Sequence, residues 1–226
     1  MASTRVRTPV RQSRAERREQ TRTKLLDAAT RVFARRGYHG ATLDEVAAEA
    51  GFTKGALYYN FADKEDLFLA LLDTHIESRI ELLHDLAGRR APAEARLAEG
   101  TERTASSLRD DREWSLLYLE FAAFAARDAR FRRKLEQRLG AVHEAMVDAV
   151  EALAPDPAAL ALPADTLALG IGALVDGVAF GRLLRPGAIP DDLLGQMLAL
   201  IWSAGKPGAT RATSRPRRRP RRRSAR

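Results

Sequence analysis

The segment Thr42–Phe61, TLDEVAAEAGFTKGALYYNF, holds two short helical patterns separated by a glycine. Thr42 stands where it can cap the first helix, and Glu45 follows at the spacing of a capping box. Gly51 predicts the end of that helix, because glycine adopts the left-handed conformation common at helix C-termini. Thr53 caps a second helix, which runs to the end of the segment. Two helices joined by a tight turn are therefore predicted here.

The second of these helices has an unusual outward face. Leu57 and Phe61 are four residues apart and predict its buried side. The predicted outward side has a cation, two phenols, an amide and no acid: Lys54, Gly55, Tyr58, Tyr59 and Asn60. Lys and Tyr donate to phosphate oxygens, Lys and Asn can read base edges, and glycine permits close approach to DNA. The pattern indicates a helix-turn-helix whose second helix enters a major groove, although an ordinary helical corner with a polar face has the same spacing.

These residues resemble the N-terminal domain of TetR-family transcriptional regulators. The resemblance is carried by KGALYYNF, Lys64 and the DLF that follows, and it extends over about residues 19–79. It implies an all-α fold, with an N-terminal three-helix helix-turn-helix domain and a C-terminal helical domain for ligand binding and dimerisation. The family often has His where this chain has Asn60. Asn60 is kept as a DNA contact because its amide can donate to phosphate. The DNA contacts implied by the resemblance are Thr42, Thr53, Lys54, Gly55, Tyr58, Tyr59 and Lys64.

Charge is distributed unevenly along the 226 residues. Residues 1–64 carry 13 Lys and Arg against 7 Asp and Glu, a net charge of +6. Residues 65–205 carry a net charge of −8, and residues 206–226 carry +10. A basic N-terminal region suits a polyanion, whereas an acidic middle region does not. We therefore expect the middle region to face away from DNA.

Four regions are predicted along the chain. Residues 1–14 form a disordered basic arm, 15–64 the DNA-binding domain, 65–204 the helical ligand-binding and dimerisation domain, and 205–226 a disordered Arg-rich tail. The arm either follows phosphates into a minor groove or has no role. The tail either binds polyanions without sequence preference or serves solubility alone.

The first helix is predicted over 15–36, with Gly37 ending it. Its basic start, which contains Arg17, Arg18, Arg22 and Lys24, lies where the helix dipole disfavours cations. Contact with phosphate and simple exposure to solvent both explain such a cluster, and the sequence leaves the choice open.

A long amphipathic helix is predicted over 63–86, with Asp63 as its cap. Lys64 then lies in the first turn, which is an unfavourable place for a cation unless an anion is near. The helix leaves the DNA-binding domain and enters the next domain. By the family resemblance, a change in its tilt couples the two domains.

Three further helices are predicted over 93–108, 112–127 and 129–154. The middle one carries aromatic residues at spacings of three and four, which suits either a hydrophobic core or the wall of a ligand pocket. The candidate ligand-binding residues are His75, Trp114, Tyr118, Phe121, His143 and Asp176. Each polar member of this set could equally be a structural residue.

The last two helices are predicted over 165–184 and 190–204. Small residues at Gly170, Ala173, Gly177 and Gly181 give the first of them a face that another helix can approach closely. The family resemblance implies that both helices form a four-helix bundle with a second copy of the chain. Packing within one chain is the alternative.

The sequence thus favours a homodimeric regulator, most often a repressor in this family, that is released from a palindromic operator by a small molecule. An apolar or cationic effector is expected from the acidic middle region. The alternative is a nucleoid-type protein that binds DNA through its basic ends. No cysteine occurs, and no catalytic or metal-binding pattern is present, so we expect neither an enzyme nor a metal or cofactor. Without a signal peptide or a long apolar run, a cytoplasmic protein with no membrane partner is expected.

Overall fold

The computed structural model describes residues 13–154, 160 and 162–204. This part of the chain forms nine α-helices and no β-strand, so the all-α prediction is confirmed. The predicted arm up to residue 12, most of the loop after α7 and the Arg-rich tail lie outside the described residues. The helices are α1 (Arg14–Gly40), α2 (Leu43–Glu49), α3 (Lys54–Asn60), α4 (Lys64–Gly88), α5 (Ala93–Asp110), α6 (Arg112–Arg127), α7 (Ala129–Leu153), α8 (Ala164–Leu184) and α9 (Leu193–Ala204).

The first helix begins at a capping box and is interrupted at Gly37. Ser13 caps α1, its hydroxyl accepting from the backbone N–H of Glu16, whose carboxylate accepts from the backbone N–H of Ser13 in return. The helix consequently begins one residue earlier than predicted. At Gly37 φ is +68°, a conformation that favours glycine, and the helical path breaks there before a last turn.

The helix-turn-helix forms through the predicted caps. The hydroxyl of Thr42 accepts from the backbone N–H of Glu45 at 3.2 Å, and the Glu45 carboxylate accepts from the backbone N–H of Thr42 at 3.0 Å. Gly51 has φ +73° and ends α2. Thr53 caps α3 by accepting from the backbone N–H of the third helical residue at 3.3 Å. These local hydrogen bonds fix the angle between the two helices.

A single hydrophobic core joins the helix-turn-helix to the helices that follow. Asp63 caps α4 as predicted, and α4 buries Leu67, Phe68 and Leu72 completely. The ring of Phe68 lies 5.1 Å from that of Phe33 on α1 and 4.0 Å from that of Phe121 on α6. The core is therefore continuous across the predicted domain boundary at residue 64, which itself stays a prediction.

A buried arginine connects the far ends of two helices. Arg96, on α5, donates to the carbonyls of Leu86 and Ala87 at the end of α4, and to that of Ala152 near the end of α7. These carbonyls have no partner within their own helices and carry the negative end of the helix dipole. The guanidinium therefore fixes the spacing of α4 and α7 at that end.

The C-terminal helices form a second, smaller core. Leu194 on α9 is fully buried against Ala105 on α5 and Val175 on α8. The helix begins at Leu193 rather than at the predicted Pro190, because the carbonyl of Pro190 accepts the N–H of Leu193 in a turn. Leu194 thus packs within its own chain.

The opposite side of α8 and α9 has an uncovered apolar surface. Leu184 on α8 is 75% exposed, and Leu200 on α9 is 61% exposed. A Cβ added at Gly170 or Gly177 would meet no atom within 4 Å. Among the described residues, α8 is the one helix whose length and apolar composition suffice to cross a membrane, although its sequence includes Asp176. Because α8 contains Asp165, Asp176 and Arg182, it is not a continuous apolar run of the kind that the sequence was found to lack.

Candidate nucleic-acid interface and ligand cavity

The outward face of α3 is formed as predicted, with one exception. Leu57 and Phe61 are buried and hold the helix against α1 and α4. Lys54 and Gly55 are exposed. The phenol rings project most strongly, with Tyr58 48% exposed and Tyr59 71% exposed. These four residues leave two phenolic hydroxyls, one ammonium group and an unshielded stretch of backbone open to a partner.

Lys54 is held by an acidic neighbour. Its Nζ lies 2.8 Å from Oδ1 of Asp44 on α2 and 5.8 Å from the ring centre of Tyr58. The hydrogen bond that Lys54 donates to the Asp44 carboxylate raises the pKa of Lys54, so the ammonium group stays charged. Both partners are well exposed, and such ion pairs exchange readily for another anion.

Asn60 is the exception on the α3 face, and its outward placement was wrong. Its Nδ2 donates to the carbonyl of Ala56, one turn earlier, at 2.8 Å. Its Oδ1 is buried and finds no hydrogen-bond partner among the described residues. The side chain therefore folds back on its own helix instead of projecting from it.

Lys64 also differs from the expectation that a nearby anion would stabilise it. Its Nζ donates to the carbonyls of Tyr38 at 2.8 Å, Ala41 at 3.0 Å and His39 at 3.4 Å. The ammonium group lies 4.7 Å from the ring centre of Tyr38 as well. Three carbonyl dipoles thus take the place of an anion, and Lys64 ties the start of α4 to the end of α1.

Thr42 and Thr53 use their side chains within the protein. Besides accepting the N–H of Glu45, the Thr42 hydroxyl donates to the Glu45 carboxylate at 3.1 Å. Both threonines are exposed at the starts of their helices. The hydroxyls of both threonines are occupied by capping, and the backbone N–H of Thr42 is occupied as well, because it donates to the Glu45 carboxylate at 3.0 Å.

Two arginines of α1 belong to this surface, a placement that sequence reasoning missed. The guanidinium carbon of Arg18 lies 5.2 Å from the ring centre of Tyr59, and that of Arg22 lies 4.6 Å from the ring centre of Phe61. Arg22 also donates to the carbonyl of Asn60 at 3.4 Å. Their spacing of four residues places both on one face of α1, the only signal in the sequence that could have paired them.

A cavity of about 460 Å³ lies among the helices that follow the helix-turn-helix. Residues of α4, α5, α6, α7 and α8 form its wall, which is mainly apolar. Five of the six predicted ligand-binding residues are on this wall: His75, Trp114, Tyr118, His143 and Asp176. Residues far apart in sequence are therefore brought together around one space, and their contact with a ligand stays a prediction.

Phe121 is the sixth predicted residue, and it does not line the cavity. Its ring is fully buried in the main core, 4.0 Å from the ring centre of Phe68 and 6.2 Å from that of Phe131. It lies on α6 one turn beyond the cavity residues Trp114 and Tyr118. The spacing of the aromatic residues predicted the face of the helix correctly but could not predict where the cavity ends along it.

The ring of His75 stacks on Trp114. Their centres are 3.6 Å apart and their planes differ by 12°. Burial lowers the pKa of His75, and the more distant carboxylate of Asp111 only partly offsets this effect. At neutral pH the imidazole is thus uncharged, and it covers one face of the indole.

The polar end of the cavity contains a phenol and a carboxylate. The hydroxyl of Tyr118 donates to Oδ2 of Asp176 over 3.4 Å, a long hydrogen bond. Burial raises the pKa of Asp176, while the positive charge of Arg79 and the phenol act against that rise. Burial, with the nearby Asp176 charge, raises the pKa of Tyr118 to about 12, so the phenol keeps its proton.

Two other polar groups on the wall are already paired. His143 Nε2 lies 2.7 Å from Oδ1 of Asp165, a mostly exposed residue at the start of α8. Arg103 forms an ion pair with Asp85 at 2.9 Å. These partners hold the two side chains at the outer part of the cavity.

Two family models match the chain. The model of the tetR family of bacterial regulatory proteins matches residues 25–71, from within α1 into α4. The model of the C-terminal region of BetI-type transcriptional repressors matches residues 92–201, which cover α5 to α9 with little omitted. The chain belongs to the TetR family. The family resemblance of the helix-turn-helix is thereby confirmed, and it extends to the C-terminal helices.

Members of the TetR family match this chain by sequence over short lengths. The HTH-type transcriptional activator FasR of Mycolicibacterium smegmatis is 44% identical over 63 residues. Those residues are 28% of this chain and 29% of FasR, so the match spans less than a third of the relative's length.

Solved structures of TetR-type regulators share the fold over most of their length. FadR from Bacillus subtilis, in complex with stearoyl-CoA, gives a TM-score of 0.67 at 21% identity and covers 80% of this chain and 98% of FadR. The complex of SmeT with triclosan gives a TM-score of 0.69 at 20% identity, and the match covers 89% of this chain and 100% of SmeT. At these identities the similarity concerns the fold.

Proposed function

We propose that this protein is a dimeric, sequence-specific DNA-binding regulator of transcription, a repressor that a small molecule releases from its operator. The observation that carries the proposal is the outward face of α3, which offers Lys54, Tyr58 and Tyr59 on a short helix held rigidly by Thr53 and a buried apolar side. Such a helix fits a major groove, with its first turn nearest to the bases.

The contacts with DNA divide into two kinds. Lys54, in the first turn of α3, reads base edges, and Tyr58 and Tyr59 donate to phosphates. Gly55 allows the backbone to come close, while Thr42 and Thr53 lie at exposed helix starts beside it. This set is exposed in the free protein.

Asn60 and Lys64 support the DNA-binding surface without being part of it. Asn60 is folded onto α3, and Lys64 is enclosed by three carbonyls. We propose that both support the position of α3 and do not bind phosphate themselves. Arg18, which stacks on Tyr59, takes over a share of the phosphate contacts because its guanidinium remains at the exposed start of α1.

The division of the chain follows from this reading. Residues 15–64 form the DNA-binding domain and 65–204 the ligand-binding and dimerisation domain, with a basic arm before and an Arg-rich tail after them. We assign the protein to the bacterial cytoplasm, where its operator DNA lies, and we assign it no catalytic role.

The dimer forms through the uncovered surface of α8 and α9. Leu184 and Leu200 are exposed there in a single chain, and glycines on α8 leave room for close helix contact. Pairing two copies across this surface yields a four-helix bundle and buries the apolar face of α8. Two reading helices related by a two-fold axis then match a palindromic operator.

The cavity between α4 and α8 is the proposed site of the small-molecule effector. FadR and SmeT, which share the fold, are described as complexes with stearoyl-CoA and triclosan, respectively. A ligand that weakens DNA binding about 100-fold must prefer the DNA-incompetent arrangement by about 2.7 kcal/mol. Operator DNA must then weaken ligand binding by the same factor.

Two helices lead from the cavity to the DNA-binding domain. On α4, His75 lies on the cavity wall and Lys64 holds the end of α1. On α6, Trp114 and Tyr118 line the cavity, and Glu120 contacts the end of α1. We propose that a ligand moves α6 together with α4, which extends the role that the family resemblance gives to α4 alone.

The decisive experiment is to sequence the fragments of the source genome that the protein retains, and to repeat the selection with two variants. Lys54→Ala should relax sequence preference by about tenfold or more, because a base contact is lost. Tyr58→Phe should weaken binding to all sequences more evenly, because a phosphate contact is lost. Arg130→Ala, which removes an exposed cation on α7, is the matched control and should change neither property.

Two results would contradict the assignment. One is unchanged binding by both α3 variants while their circular dichroism stays native. The other is retention of DNA without sequence preference and with a steep dependence on salt, which would favour the nucleoid-type alternative.

A further inference from the structure

Besides Tyr118, whose phenol keeps its proton, the cavity wall has five ionisable side chains: His75, Arg79, Arg103, His143 and Asp176. Three of the five are accounted for within the protein: the His75 ring is buried against Trp114, Arg103 pairs with Asp85, and His143 contacts Asp165. The charges that remain available to a ligand are those of Arg79 on α4 and Asp176 on α8.

Arg79 and Asp176 are close enough to influence each other but do not touch. The positive charge of Arg79 acts on both Asp176 and Tyr118. In the part of the chain that the structure describes, however, Arg79 has neither a hydrogen bond nor a direct ion pair. Asp176 accepts one long hydrogen bond, from Tyr118, although a carboxylate can accept about four. Opposite charges therefore border the same space with most of their hydrogen-bonding capacity unused.

This arrangement selects against a ligand with net charge. A cation would pair with Asp176 while lying near the guanidinium of Arg79, and an anion would pair with Arg79 while lying near a carboxylate. In both cases one partly buried protein charge is left without compensation, which is unfavourable. A neutral group that donates to Asp176 and accepts from Arg79 satisfies both charges at once.

The shape of the wall favours a flat ligand. His75 and Trp114 lie almost parallel, and the plane of Tyr118 differs from that of Trp114 by 29° at a distance of 6.1 Å. The indole, with His75 stacked on one face, and the ring of Tyr118 are aromatic surfaces on the same wall as Arg79 and Asp176. Aromatic molecules stack on such a surface with a favourable offset.

We propose that the cavity takes a flat aromatic molecule without net charge that carries a hydrogen-bond donor and an acceptor at one end, such as an aryl amide. The inference rests on the proposed role of this cavity as the effector site, and it replaces the apolar or cationic effector expected from the net charge of residues 65–205. The local pair, rather than the charge of the domain, sets the preference.

The test is isothermal titration calorimetry of the full chain with three probes that share one ring system: 2-naphthamide, 2-naphthoate and 2-naphthylmethylammonium. The wild type should bind the amide about tenfold more tightly than either ion, because neither ion compensates both charges. Asp176→Asn should shift the preference toward naphthoate by about tenfold, and Arg79→Gln should shift it toward the ammonium probe by a similar factor.

Arg103→Gln is the matched control, since it removes a positive charge from the same wall that is already paired with Asp85. It should leave the order of the three probes unchanged. The inference is overturned if the wild type prefers either ion, if Arg103→Gln shifts the order as strongly as Arg79→Gln, or if the folded wild type binds none of the probes. Because these titrations contain no DNA, failure of the proposed regulatory function would appear separately, in the selection of genomic fragments.

Discussion

The carboxylate of Glu120, on α6, accepts a hydrogen bond from the backbone N–H of Tyr38, with 3.4 Å between nitrogen and oxygen. Tyr38 directly follows Gly37, where the path of α1 breaks, and a Cβ at Gly37 would lie 3.1 Å from Glu120 Oε1. The helix that carries Trp114 and Tyr118 on the cavity wall therefore also holds the end of the first helix of the DNA-binding domain. This contact gives α6 a direct mechanical connection to the helix-turn-helix.

Removing the Glu120 side chain should loosen the end of α1. We expect Glu120→Ala to accelerate hydrogen exchange of the Tyr38 amide by about fivefold, because one hydrogen bond contributes roughly 1 kcal/mol. Amide exchange followed by NMR measures this directly. Glu120→Gln keeps an acceptor oxygen at the same place and should exchange at nearly the wild-type rate. Equal rates in all three proteins would show that the contact does not restrain α1.

Neutralising Asp44 should strengthen binding to DNA. In the free protein Asp44 holds the ammonium group of Lys54 at 2.8 Å, and its charge opposes the approach of phosphate. We expect Asp44→Asn to raise affinity about threefold at moderate salt. The measurement is fluorescence anisotropy with labelled operator. Glu102→Gln makes the same change of net charge on α5, away from α3, and should have a much smaller effect; an equal effect would mean that net charge alone is responsible.

Removing the charge of Lys64 should lower the stability of the protein. The molecules that remain folded should keep most of their affinity for DNA. Lys64→Met leaves the carbonyls of Tyr38 and Ala41 without their donor, so we expect the free energy of unfolding to fall by about 1–3 kcal/mol. Urea denaturation measures the change. Lys54→Met, at an exposed position, should alter unfolding little. If Lys64→Met keeps wild-type stability but flattens the salt dependence of DNA binding, Lys64 is a phosphate contact after all.

Charging the free surface of α9 should separate the dimer. Leu200 is 61% exposed in one chain, and Leu200→Glu would place two carboxylates near each other across a two-fold interface. Sedimentation velocity should show monomers that bind a palindrome with half-sites about 34–36 Å apart only weakly. Leu119→Glu, on α6, should remain dimeric. Leu194→Glu should instead unfold the C-terminal helices, because Leu194 is buried within its own chain.

Deleting residues 206–226 should change the electrostatics of DNA binding but not its specificity. The segment carries a net charge of +10, and each phosphate that it neutralises adds about −0.9 to the slope of log K against log salt. We expect a flatter slope and slower association, with the same preferred site. Affinity measured over a range of salt concentrations tests this, and an unchanged slope would mean that the segment does not contact DNA.

The sequence by itself determined the helix-turn-helix. The caps at Thr42, Thr53 and Asp63 and the breaks at Gly37 and Gly51 are all present in the structure. Each depends on backbone geometry and on hydrogen bonds to residues within about four positions. Such local interactions are readable from one stretch of sequence. The buried side of α3 followed from helical spacing for the same reason.

Only the tertiary structure decided how side chains are used between helices. Lys64 meets carbonyls 23 to 26 residues away, and Tyr118 meets Asp176 across 58 residues. Phe121 belongs to the core and Trp114 to the cavity, although both follow one helical pattern. The period of a helix tells which face is covered but not which neighbouring helix covers it. Packing between distant segments settles that, and with it whether a side chain faces a cavity, a core or a charge.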